Sequence, residues 1–252
     1  MQNRSEKYME QFSRFAVVLM LALSGCASAK EPAPAVQSSP PETMPAETPE
    51  PEQSEEKGID SVYESGKEQT ICIFTPNGNN GTGFIYDGQY VITNEHVLYD
   101  ADDFTLQDMN GREYKGTVIF KDPGNDIAVI RSEDLSGSSV VFGDSDSLSV
   151  GDVLLCIGNP AEGEPFSFCT GQCLELDEEL EQKIDRDHRF IHADADIISG
   201  YSGGPVFNTD GEVIGLSYAA YVEDLSAYEF DHLCLIIPIN RVRELIETAC
   251  AQ

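Results

Sequence analysis

The sequence predicts an all-β domain, a sandwich or a pair of barrels, finished at its C-terminal end by one helix. Three observations carry that reading. From about Gly58 onward, short runs rich in Val, Ile, Phe and Thr follow one another closely. Dipeptides suited to tight hairpins, Asp87-Gly88, Asn110-Gly111 and Asp210-Gly211, fall between such runs. A helical apolar period shows only at the end.

In order, strand-like runs occupy residues 70–74, 83–86, 90–92, 104–107, 117–120 and 127–130. They continue at 153–157, 166–169, 190–193, 213–218 and 233–237. Each is apolar or β-branched and too short for a stable helix, which suits a strand of about five residues. Many short strands at this spacing are the signature of a sandwich or of barrels. The final helix is predicted from Asn240 as N-cap, with Val242, Leu245, Ile246 and Ala249 on one face.

The front of the chain reads as an address. Arg4, Lys7 and Arg14 precede an apolar run over residues 15–23. That run is short of the roughly 20 residues a membrane span needs, but fits the apolar region of a signal peptide. It ends in Leu23-Ser24-Gly25-Cys26, which resembles a bacterial lipoprotein box. The resemblance implies cleavage before Cys26 and acylation of its sulfur, so residues 1–25 are expected to be a lipoprotein signal peptide. Residues 26–57 are then an acylated cysteine and a disordered Pro/Glu-rich linker, because they hold seven prolines and little to bury. Residues 58–252 are the expected folded domain.

Charge narrows the partners. With 45 acidic against 15 basic side chains the net charge is −30, which repels nucleic acid and anionic lipid surfaces. Glycines without a period and the lack of a lasting heptad exclude collagen-like and coiled-coil chains.

Three local motifs point to chemistry. Gly81-Thr82-Gly83-Phe84 opens a strand that returns as Val91-Ile92-Thr93-Asn94-Glu95-His96-Val97. Asp122-Pro123-Gly124-Asn125-Asp126-Ile127-Ala128-Val129 follows, and Gly200-Tyr201-Ser202-Gly203-Gly204-Pro205-Val206 comes near the end. Singly, a histidine at a strand end, an aspartate in a turn and glycines around a serine are unremarkable. Together they supply what acyl transfer needs. A serine hydroxyl becomes a nucleophile when an imidazole takes its proton. The imidazole needs a carboxylate to fix its tautomer, and the developing oxyanion needs backbone N–H donors. Gly200-x-Ser202-x-Gly204 also fits the nucleophile turn of α/β-hydrolases, with Asp224 and His232 as nominal partners. Those enzymes need alternating strands and crossover helices, which this sequence lacks.

The order His, Asp, Ser, with TNEHV, DIAVI and GYSGGPV, resembles the trypsin-like serine proteases, and more narrowly their HtrA (Deg) branch. The similarity extends through Phe142-Gly143-Asp144-Ser145-Asp146, Ile157-Gly158-Asn159-Pro160 and Ile237-Pro238-Ile239-Asn240. It implies a chymotrypsin-like double antiparallel β-barrel with a C-terminal helix, acting as a serine endopeptidase on proteins or peptides. It places the general base on His96, the orienting acid on Asp126, the nucleophile on Ser202 and the oxyanion donors on the N–H groups of Gly200 and Ser202. Tyr201 stands where the branch commonly has Asn and is expected at the pocket mouth; residues 175–189 form a charged insertion. The PDZ domain usual in the branch is not expected.

Two readings of the specificity pocket stay open. Asp196 lies six positions before Ser202, where a trypsin-like enzyme of basic specificity keeps a pocket-floor carboxylate. Alternatively Asp196 faces solvent and Ile197 fills the pocket, favouring small aliphatic residues. Ser217, Tyr218 and Ala219 are expected to offer an edge to the substrate backbone. No cofactor and no metal are expected, since no CxxC occurs and the histidines are scattered. Asp144-x-Asp146 and Asp185-x-Asp187 lack the full calcium-loop pattern and read as acidic turns. Of seven cysteines, six remain if Cys26 is acylated, with 15 possible pairings and Cys169 and Cys173 as candidate neighbours. The expectation is thus an exported protease, lipid-anchored at Cys26 to a bacterial membrane, of unassigned oligomeric state. The alternative is a silent or conditionally active protease fold used as a surface binding or scaffold module.

Overall fold

In the computed structural model, described for residues 52–76, 78, 80–98, 101, 104–135, 137–175, 190–218 and 233–251, the acidic run before the first strand is helical. Ile59, Val62, Tyr63 and Gly66 fall on one face of helix α1 (Glu52–Gln69). Val62 is buried, and Gly66 lets the helix approach so closely that a Cβ there would lie 2.6 Å from Ile157 Cδ1. The helix therefore begins inside the stretch expected to be linker, and the domain is not helical at its end alone. Cys26 and the leader, Ala219, residues 176–189 with Asp185 and Asp187, Asp224 and His232 lie outside the described residues.

Helix α1 runs straight into the first sheet. Its strands are β1 (Thr70–Phe74), β2 (Asn80–Tyr86), β3 (Tyr90–Thr93), β4 (Thr105–Gln107), β5 (Glu113–Tyr114), β6 (Thr117–Asp122) and β7 (Ile127–Arg131). All pairs are antiparallel, in the order β5-β4-β1-β2-β3-β7-β6. The β2–β3 hairpin turns at Asp87 and Gly88, both at positive φ (48° and 74°), as the dipeptide predicts. Between β3 and β4, the single turn α2 (Glu95–Leu98) buries Val97 and Leu98 in this sheet's own core.

The second sheet comprises β8 (Val153–Gly158), β9 (Ser167–Leu174), β10 (Ile191–Asp194), β11 (Pro205–Phe207), β12 (Val213–Tyr218) and β13 (Cys234–Pro238). It closes on itself as a barrel, β10-β13-β12-β11-β8-β9. The two-barrel expectation is met with one difference, for the first sheet is a half-barrel whose end strands β5 and β6 do not pair. The two sheets share a core. Phe84, Ile92 and Val129 from the first pack with Ile157, Phe207 and Leu216 from the second. Burying side chains of this size contributes about 1.5–3 kcal/mol each, which holds the sheets in fixed register.

Helix α3 (Ile239–Cys250) covers that seam with Val242, Ile246 and Ala249, while Leu245 is only half-buried. Asn240 is not its cap. Pro238 holds the N-cap position, and Asn240 Nδ2 instead donates to Asp144 Oδ1 (2.6 Å). That bond, and the Asp146 N–H behind it, hold the Asp144 carboxyl below the usual carboxylate range. Asp144 thus caps a short 3₁₀ turn at Ser145–Ser147, which accounts for the Asp-x-Asp pattern there.

The described cysteines are free thiols. Cys169 faces Cys156 across β8 and β9, whereas Cys173 lies further along the same strand opposite Ala193. Burial pushes the Cys72 and Cys250 thiols up to about 12, so they behave as small hydrophobes.

Candidate active site

His96 and Asp126 come from adjacent corners of the first sheet. The β3–β7 register opposes Thr93 to Ala128, which brings the start of α2 beside the β6–β7 loop. Asp122 builds that loop by accepting from Gly124 N (2.8 Å), Asn125 N (3.1 Å) and Asn125 Nδ2 (2.9 Å). Asn125, through its side-chain amide first, holds the Asp122 carboxyl below its ordinary value. The sign follows. A depressed carboxylate adds stability above its unfolded pKa of about 4, and that contribution is lost as pH falls through the lower folded value. The loop delivers Asp126 in the left-handed region (φ 54°), with its carbonyl held by Asn94 Nδ2 at 3.0 Å.

Asp126 grips His96 at two points. Oδ1 accepts the His96 backbone N–H at 2.9 Å, and Oδ2 meets Nδ1 at 2.7 Å. A carboxylate at that distance favours the tautomer with its proton on Nδ1, which leaves the Nε2 lone pair for a serine. The ring also meets Tyr218 in a T-shaped arrangement, with centroids 5.5 Å apart and an interplanar angle of 82°.

Ser202 belongs to the second sheet and sits in the later of two linked turns. The first spans Ile198 to Tyr201, closed by Tyr201 N–H to Ile198 O (3.2 Å), with Gly200 at φ 103°. The second spans Tyr201 to Gly204, closed by Gly204 N–H to Tyr201 O (2.8 Å), with Gly203 at φ 81°. Each places glycine where the third turn position needs positive φ. Gly200 also lies against the loop after β8, and a Cβ there would lie 2.0 Å from Asn159 O. Gly200→Ala is therefore expected to lose about 1–2 kcal/mol from backbone strain alone, with the clash in addition. Thermal unfolding checks the stability, and reaction with a serine-directed probe checks the turn.

The serine turn abuts the corner that carries His96. A Cβ on Gly203 would lie 2.3 Å from Thr93 Oγ1 and 2.8 Å from Asn94 N, so only glycine admits this approach. Gly203 N–H donates to Ser217 O (2.9 Å), next to the Tyr218 that touches the imidazole. Ser202 is 8% exposed. The structure thus gathers His96, Asp126, Ser202, Gly200, Ser217 and Tyr218 into one place. No metal-holding group of His, Cys, Asp or Glu occurs among the described residues.

The residues 81–216 match the family described as the trypsin-like peptidase domain. The chain belongs to the trypsin-like peptidase family. This peptidase domain is 37% identical over 142 residues to a probable periplasmic serine protease (do/HhoA-like) of Haemophilus influenzae, covering 55% of this chain and 30% of that protein. It is 33% identical over 189 residues to a probable periplasmic serine endoprotease (DegP-like) of Buchnera aphidicola, covering 70% of this chain and 38% of that one. The chain spans well under half the length of these curated relatives. Among solved structures it is similar to an HtrA-type protease, AlgW with tripeptide, at TM-score 0.66 and 25% identity, covering 75% of this chain and 62% of that one.

Other expected residues of the trypsin-like peptidase domain fall differently. Asp196 is exposed and so is no buried pocket-floor carboxylate, while Ile197 is half-buried against the core of the second barrel. Tyr201 turns away from the pocket mouth into that barrel, 4% exposed, and burial pushes its phenol up. Gly158 makes the room, since a Cβ there would lie 2.4 Å from Tyr201 Cγ. Ser217 is no free edge, because its N–H already donates to Gly204 O (2.9 Å). Reasoning from sequence alone missed Asn94, whose signal is a lone amide immediately before the histidine turn. It also missed Thr82, a hydroxyl set between two glycines of a buried strand.

Proposed function

We propose that the chain is a serine endopeptidase that hydrolyses peptide bonds through an acyl-enzyme on Ser202. The observation that carries this is the two-point grip of Asp126 on His96, at 2.9 and 2.7 Å, beside the glycine-shaped turn of Ser202. His96 Nε2 takes the Ser202 proton as Oγ attacks the substrate carbonyl, and Asp126 stabilises the imidazolium that results. The N–H groups of Gly200 and Ser202 receive the negative oxygen. The imidazolium then protonates the leaving amine, and water, deprotonated by the same ring, releases the acid.

The expected setting is outside the cytoplasm of a bacterium, tethered through acylated Cys26, with extracytoplasmic protein quality control or processing as the role. The signal-like leader and relatives named as periplasmic support that setting. Among the described residues no helix is long and apolar enough to cross a membrane. Substrates are expected to be chosen by a small aliphatic residue, because Asp196 is exposed and Ile197 half-buried. Peptide-library cleavage is therefore expected to show no preference for Lys or Arg, and Asp196→Ala to leave the profile unchanged. A Lys/Arg profile that this substitution abolishes would return Asp196 to the pocket.

The decisive test is a fluorophosphonate probe on the purified chain, with the adduct located by peptide mass spectrometry. One adduct on Ser202 together with peptide cleavage supports the proposal. No adduct under any condition overturns it in favour of a silent scaffold.

A further inference from the structure

Oxyanion donors work only if the carbonyls between them are turned away. An inward carbonyl would put partial negative charge where the substrate's negative oxygen must develop. In the run from Ser199 to Ser202 every carbonyl oxygen has a donor. Ser199 O accepts Ala161 N–H (3.0 Å), Gly200 O accepts Thr82 Oγ1–H (2.7 Å), and Ser202 O accepts Thr82 N–H (2.9 Å). Tyr201 O accepts both Gly204 N–H (2.8 Å) and Ser217 Oγ–H (2.5 Å). With Ser199 O fixed on Ala161, the Gly200 N–H of the same planar peptide points the opposite way.

Two of these bonds come from one residue of the other sheet. Thr82 lies on β2 and is fully buried. Its hydroxyl donates to Gly200 O and accepts Asn159 N–H (2.8 Å), so it joins the serine turn to the loop that supplies Ala161. Its carbonyl is held in turn by Thr93 Oγ1–H at 2.6 Å. A hydroxyl has one proton to give and lone pairs to receive, and Thr82 uses both functions here. Valine has the same shape and neither function.

We propose that Thr82 is the positioning residue of the oxyanion turn, so that the first sheet sets the charge-stabilising geometry of the second through one hydroxyl. This rests on the serine endopeptidase reading and deepens it. Thr82 touches no reacting atom. It keeps Gly200 O outward and the Asn159–Ala161 loop in place, and so keeps the Gly200 N–H aimed at the developing oxygen.

The test compares Thr82→Val, Thr82→Ser and Thr70→Val in the full chain. Thr70→Val removes a buried hydroxyl that donates to Gly66 O (2.8 Å), away from the serine turn, and serves as the structural control. The readouts are kcat and KM on a peptide substrate, affinity for a peptide boronate that forms a tetrahedral adduct on serine, and thermal unfolding. Thr82→Val is expected to lower kcat by roughly 10–100-fold, less than outright loss of an oxyanion donor, with KM within about twofold. Boronate affinity should fall in parallel, and Thr82→Ser should return both to within a few-fold of wild type. Thr70→Val should lower the unfolding temperature while leaving kcat near wild type. The proposal is overturned if Thr82→Val keeps its kcat and boronate affinity, or if Thr70→Val loses them equally. A wild-type chain that neither cleaves peptide nor binds boronate overturns the protease reading itself, a result distinct from either.

Discussion

Ser202→Ala is expected to lower peptide hydrolysis by on the order of 10⁶-fold while leaving the fold intact. The substitution removes one oxygen, and the described bonds at this position belong to the backbone. Thr82 N–H still reaches the residue's carbonyl, and Gly203 keeps its approach to Thr93 and Asn94. Alanine therefore retains the amide at the oxyanion position and loses only the nucleophile. Substrate affinity should be little changed, so the variant is suited to trapping bound substrates. Turnover against thermal unfolding is the measurement, and hydrolysis within about a hundredfold of wild type would place the nucleophile elsewhere.

Asp126→Asn is expected to cost about 10⁴-fold in kcat with a smaller effect on stability. Asparagine tolerates the left-handed backbone that Asp126 adopts (φ 54°), and it can still accept the His96 amide hydrogen through its oxygen. Its NH₂ group then faces Nδ1, where the carboxylate stood at 2.7 Å. Two donors cannot share that contact, so Nδ1 must give up its proton and Nε2 must carry one. The ring then has no lone pair for Ser202. Labelling by fluorophosphonate should slow in step with kcat. Hydrolysis within about tenfold of wild type would show that the carboxylate does not set the tautomer.

Much of the fold was legible because its signals are local. The Asp87-Gly88 turn and strand β12, whose bounds agree with the apolar run, depend on neighbouring residues. Helix α1 was hidden because Ile59, Val62 and Tyr63, at the start of the expected domain, are too few to show a helical period until Ile157 and Phe207 are there to receive Gly66. Asn240 looked like a cap because sequence could not show Asp144, 96 positions away, taking its amide. The candidate site divides along the same line. His96, Asp126 and Ser202 announce themselves in short motifs. Thr82 does not, since its partners are Gly200 and Asn159, 118 and 77 positions distant. The inward turn of Tyr201 depends on a space that only Gly158 provides.

The closed barrel has a consequence for the order of events in the life of the chain. Strand β13, residues 234–238, pairs with both β10 and β12, so the barrel closes only when a segment well after the serine turn is in place. A chain whose first sheet has formed while the barrel is still open can hold its imidazole and carboxylate together while the serine turn lacks its scaffold. Such long-separation pairing is slow, so hydrolytic competence arrives at the end of folding rather than during it. On refolding, the return of peptide hydrolysis should therefore lag behind the circular dichroism signal of the strands.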